Sequence, residues 1–269
     1  MKASASLERL ILANAPYWAA EAEVCRAHFN APKRNKKTDL SWLARQARKE
    51  FWDSFSTDAP SLFLSFCKER LADWDKIDAG GPSRRDVLDM VQTIAAEFSH
   101  YVAFADAYET IRGGDKDFPP ITPLMLRDIS SWPENDALQQ LRTDHQKQFG
   151  KIGMRATRFT EGGYCGLFSE GMKLKGRSKG DDAIAAACAL VYDDEFHHML
   201  VGIAGLDEEP MTKAEWDRLE ELSIAQMRAR IHMRNAQFGN PVPEFRVKEL
   251  LAGRAQPVSF DFDKAGLAA

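Results

Sequence analysis

Asp193-Asp194-Glu195-Phe196-His197-His198 places a glutamate three residues before a histidine, Glu195 and His198. On a helix, positions i and i+3 share a face, so a carboxylate and an imidazole point the same way. A second copy, Glu97-Phe98-Ser99-His100, sits in the first half of the chain. Eighteen glutamates and six histidines over 269 positions would give about 0.4 such pairs by chance, so two copies are more than shuffling supplies. A lone pair of this kind is usually a surface pair. Both copies here lie among apolar residues, Phe98 and Tyr101 in one case and Phe196 and Met199 in the other.

Outward from these motifs the chain reads as helices throughout. Residues 4–30 carry Leu7, Leu10, Ile11, Ala15 and Trp18 at helical spacing, with Pro16 as a break or kink. Residues 31–37 read as a polar loop and 40–55 as a second helix. Thr57-Asp58-Ala59-Pro60 is a helix-start signal ahead of Leu62, Phe63, Phe66, Glu69, Leu71 and Trp74. Ser83 is placed to cap the next helix, which runs to about Ile111 and stops at Gly113-Gly114. The Pro-containing stretch 115–133 is long for a hairpin loop and suggests a crossover.

Residues 134–175 are helical again, interrupted by Glu161-Gly162-Gly163-Tyr164-Cys165-Gly166. Three glycines in five positions would cost a helix interior about 1 kcal/mol each. Close packing and a bulge beside a substrate are both readings of that interruption. Helices over about 181–203 and 212–238 follow, and the tail beyond Pro241 reads as irregular. No strand-period run, repeat or low-complexity tract stands out. The expectation is one all-α domain over 1–269: a bundle core at about 59–203, N-terminal helices at 4–55 and a C-terminal helix at 212–238.

Composition narrows the function classes. Hydrophobic content of 44% and charged content of 28% are those of a soluble globular chain, and a net charge of −4 gives no reason to expect a polyanionic partner. The basic residues between Lys33 and Lys49 read as a solvated face, because aromatics are not interleaved with them. Four scattered cysteines, Cys25, Cys67, Cys165 and Cys188, form no CxxC and fit a reducing cytosol. No secretory signal or membrane-length apolar run is seen, so a cytoplasmic protein away from membranes is expected.

A helical bundle holds a metal pair with one glutamate from each of two helices and Glu-x-x-His from each of the other two. Glu161 and Glu195 flank a turn centred on Ser178, so an antiparallel hairpin would bring their carboxylates level. Glu69 and Glu97 flank the Gly80-Gly81 turn less symmetrically, and Asp73 and Glu50 are poorer still in spacing. In the order Glu69, Glu97/His100, Glu161, Glu195/His198 the chain resembles the ferritin-like non-heme di-iron carboxylate proteins. That superfamily includes multicomponent monooxygenases, the ribonucleotide reductase small subunit, and aldehyde-deformylating and arylamine oxygenases.

The resemblance implies a ferritin-like four-helix core and metal ligands Glu69, Glu97, His100, Glu161, Glu195 and His198. Asp194 would sit behind them and accept the outer N–H of a ligating imidazole. Val191 stands where a third histidine would precede Glu195, which disfavours the three-histidine arylamine-oxygenase type; heme-oxygenase-like di-iron enzymes are disfavoured likewise. Cys165 and Tyr164 are candidate pocket residues, with buried core positions as the alternative. His197 falls off the ligand face.

The implied cofactors are two iron ions, or a Mn/Fe pair on the same ligands, with dioxygen as cosubstrate. The implied activity is an oxygenase or oxidase acting on a small, partly apolar organic molecule by hydroxylation, desaturation, oxidative cleavage or N-oxygenation. No dinucleotide fingerprint occurs, so a separate electron donor is expected. A homodimer is left open. The alternatives are a ferroxidase or iron-handling protein, a tRNA-modifying di-iron hydroxylase, and a metal-free helical adaptor.

Overall fold

The computed structural model describes residues 2–53, 72, 74–129, 132–208 and 210–268. The described elements are helical and no strand occurs among them. In chain order they are α1 (Ala5–Phe29), α2 (Lys36–Arg48) with a π-helical turn (Lys49–Asp53), α3 (Arg84–Arg112) and α4 (Pro123–Arg127). Then come α5 (Pro133–Phe149), α6 (Lys151–Thr160), α7 (Gly166–Met172), α8 (Lys179–Ala204), α9 (Lys213–Gln237) and α10 (Glu244–Leu251). No described helix is long and apolar enough to cross a membrane.

The starts of these helices follow local chemistry. Ser83 and Thr212 each close a capping box, with Asp86 and Glu215 respectively, which satisfies backbone N–H groups that the first turn leaves open. Asn35 does the same with Thr38, so α2 begins within the stretch read as loop. Helix α1 runs through Pro16 without ending. The long helix expected over 134–175 is three pieces. Gly150, at φ 52° and ψ −121°, separates α5 from α6 in a conformation that only glycine adopts readily. The tail beyond Pro241 contains α10.

Contacts divide the chain into two compact units. One comprises Met1–Arg34, Ser131–Lys175 and Val191–Ala269; the other comprises Asn35–Ser130 and Gly176–Leu190. The boundary falls inside α8. In the second unit α2 packs along α3, with the π-helical turn against α3 and α4 against α2. Trp42, Leu43, Phe104, Tyr108 and Leu126 are buried there, and Trp42 meets Phe104 edge-on at 6.2 Å. The crossover after α3 is tied back by Tyr108, whose hydroxyl donates to the Pro119 carbonyl at 2.9 Å. Glu109 also accepts from the Ile121 N–H at 2.7 Å.

In the first unit α1 and α9 are the central pair, so the first and last long helices of the chain pack on each other. Helix α7 lies on α1, while α5 and α6 lie on α9. Leu7, Leu10, Ile11, Trp18 and Val24 of α1 are buried with Leu219, Leu222, Met227 and Ile231 of α9. At the centre sits a charge. Glu21 is fully buried, accepting from Arg230 Nε at 2.7 Å and from Arg234 Nε at 2.9 Å. Burial pushes its carboxyl up, but the two guanidinium charges and their hydrogen bonds outweigh that, and the net shift is down. Deleting one member of such a group strands the others, which typically costs about 3–5 kcal/mol.

A second buried network crosses α5, α6 and α9. Thr160 Oγ1 donates to Gln226 Oε1 at 2.6 Å, so the Gln226 amide N–H faces His145 Nδ1 at 3.1 Å. His145 Nδ1 therefore accepts, and the ring is held neutral. Burial lowers its pKa, against the smaller opposing pull of Asp144 and Glu221. The unfolded chain then protonates His145 first as pH falls, so the stability that the neutral ring contributes is lost below about pH 6.5. Urea unfolding at pH 7.5 and pH 5 should show the advantage of wild type over His145→Gln shrinking at the lower pH; an advantage independent of pH would contradict the assignment.

Candidate metal centre

Three titratable side chains meet within the second unit. Glu50 comes from the π-helical turn, and Glu97 and His100 come from one face of α3. Their ligand atoms all lie within 4.8 Å of one another, and His100 Nδ1 stands 3.9 Å from Glu97 Oε2. Glu50 is 6% exposed and His100 1%, whereas the Glu97 side chain keeps 28%. Gln46, one helical turn before Glu50 and itself buried, donates its amide N–H to Glu50 Oε1.

The donor chemistry fits a transition-metal ion. Two carboxylate oxygens and an imidazole nitrogen suit iron or manganese and also zinc. To share one such ion at about 2.0–2.2 Å the ligand atoms must draw closer than the 4.8 Å within which they lie, a movement that side-chain rotation supplies.

The aromatic residues next in sequence to the three ligands also gather. Phe51 and Tyr101 lie 5.0 Å apart, and Phe98 completes the group at 6.5 Å from Phe51 and 5.6 Å from Tyr101. Tyr101 is buried, which together with Asp106 raises its pKa and keeps its hydroxyl protonated at neutral pH.

Of the residues singled out by the sequence, Glu97 and His100 are therefore brought together. Glu69 and Asp73 lie outside the described residues. Among the described residues Glu50, ranked behind Glu69 on spacing, is a carboxylate that the fold brings to the first Glu-x-x-His. Its place depends on the π turn, and an i→i+5 register leaves no mark in a 3.6-residue hydrophobic pattern. Comparison with known protein families, curated proteins and solved structures gave no match.

The other candidates lie in the first unit. Glu161 closes α6 as an extended residue, φ −62° and ψ 139°, and is exposed, so it is not on a helix face. His198 is exposed on α8, with Nδ1 3.7 Å from Asp194 Oδ1. Neither Glu161 nor His198 joins a three-ligand group among the described residues. Asp194 and Glu195 are half-buried.

The glycine interruption is a left-handed turn. Gly162, Gly163, Tyr164 and Cys165 all have φ between 53° and 73°, a strained setting for the tyrosine and cysteine. A Cβ on Gly163 would collide with the Glu21 carboxylate and the Arg230 guanidinium, so glycine lets the turn lie on the buried ion group. Of the two readings of this stretch, close packing is the one these contacts describe. Tyr164 stacks on Trp18 at 5.1 Å and meets Phe196 edge-on at 5.5 Å, and its hydroxyl accepts from the Asp261 N–H at 3.1 Å. Cys165 is fully buried; burial first, then the charge of Glu195, pushes its thiol far up.

A thiol in that state is a poor nucleophile. Cys25 and Cys188 are buried as well, and Cys67 lies outside the described residues. In a Cys67→Ser background, Ellman's reagent at pH 8 should titrate no thiol of the native protein within minutes and all three remaining thiols in urea. Rapid labelling of Cys165 in the native protein would contradict its burial.

Proposed function

We propose that Glu50, Glu97 and His100 hold a transition-metal ion, and that the chain is an O2-dependent non-heme iron oxidoreductase acting on a small organic molecule. The observation that carries the reading is the meeting of two buried or half-buried carboxylates and a buried imidazole at the first Glu-x-x-His. Iron bound there would supply dioxygen binding and electrons to the reaction.

The chain's own residues have separate tasks. Glu50 and Glu97 provide anionic donors that favour the oxidised ion, and His100 provides a neutral nitrogen. Phe51, Phe98 and Tyr101 give the neighbourhood an apolar aromatic character that suits a partly apolar substrate. The di-iron form of the reading, with a ferritin-like bundle, requires a further set of ligands besides these three. A separate protein or small reductant supplies electrons. The tRNA-hydroxylase alternative loses part of its basic footprint, since Lys36 Nζ is bound to Asp115 at 2.7 Å and to the Arg112 carbonyl at 2.8 Å.

Metal content after anaerobic loading with ferrous iron and desalting tests the proposal. Wild type should retain about two ions per chain in the di-iron form, and Glu50→Ala and His100→Ala should each lower the content by at least one ion. Oxygen uptake by the loaded protein that needs no organic substrate would favour the ferroxidase alternative. Wild type without retained transition metal, or variants loaded as fully as wild type, would overturn the reading.

A further inference from the structure

We infer that Gln46 is the positioning residue of this metal centre: its side-chain amide fixes the Glu50 carboxylate in the orientation in which it shares an ion with Glu97 and His100. The inference rests on the metal reading above and adds to it a residue that no ligand pattern would select.

Gln46 lies in the last turn of α2 and is 1% exposed, so its amide has been taken out of water and needs partners inside the protein. Its Nε2 donates to Glu50 Oε1 across the junction where the α-helix becomes the π-helical turn. The wider π turn changes the direction in which residue 50 projects, and a glutamate side chain has three rotatable bonds. A hydrogen bond to one carboxylate oxygen removes most of that freedom and leaves the other oxygen for an ion.

The neutrality of the donor matters as much as its position. Glu21 shows what this protein does with a buried carboxylate kept for structure: two guanidiniums neutralise it. Glu50 receives an uncharged amide, and its neighbour in the ligand group is another carboxylate. An amide hydrogen bond occupies one carboxylate oxygen and brings no side-chain cation to compete with a metal ion for the other. Outer partners of this kind commonly change metal affinity by about 10–100-fold.

Cobalt(II) titration of the apoprotein, read by visible absorbance together with melting of the apo and cobalt-loaded forms, tests the role. Gln46→Leu should raise the cobalt Kd by about 10–100-fold, alter the d–d bands and shrink the metal-induced rise in Tm. Gln46→Lys places an ammonium beside Glu50; it should keep or raise the apo Tm while abolishing binding. Gln46→Leu with the wild-type Kd and bands would overturn the inference. So would a lower apo Tm with unchanged Kd and bands, the signature of a merely structural residue. Failure of wild type to bind cobalt would instead strike the metal reading itself.

Discussion

A carboxylate removed from water must be given either a counter-charge or a proton, and this constraint shapes both units of the chain. In the first unit Glu21 is buried at the middle of α1 and is matched by Arg230 and Arg234 one turn apart on α9. Two guanidinium forks on one helix face define how that helix lies against α1. They also dictate the nearby backbone, because the turn after α6 passes so close to the ion group that only glycine fits at residue 163.

In the second unit the same constraint is met differently. Glu50 is buried against Glu97 and His100, with a neutral amide as its hydrogen-bond donor. Like charges in one group are a structural liability unless an ion joins them. Glu21 is thus neutralised by its own guanidiniums, whereas the group at Glu50 is the one proposed to bind a cation. Two irregular segments accompany these groups. The π turn carries a proposed ligand, and the left-handed turn carries Tyr164 and Cys165 over the buried ion group.

Much of the helical architecture was legible because it is written in local chemistry. Ser83 caps where it was expected to, Gly113 ends α3 in a left-handed conformation, and the stripe of α1 at Leu7, Leu10, Ile11 and Trp18 is buried. The break at Gly150 was not legible, since a single glycine in a helical pattern is usually tolerated. Two of the three residues of the candidate centre, Glu97 and His100, were readable from spacing. Glu50 was not, because its place is set by a π turn that shifts the register by one residue. Glu161 was read onto a helix face by counting residues from Ser178, an argument that needs an unbroken hairpin; the left-handed turn breaks it.

Anomalous scattering from crystals soaked in manganese(II) tests the central claim most directly, because it locates the ion without assuming activity. The account predicts an anomalous peak about 2.0–2.3 Å from carboxylate oxygens of Glu50 and Glu97 and a ring nitrogen of His100. A peak bound by other residues alone, or none at saturating manganese, would contradict it.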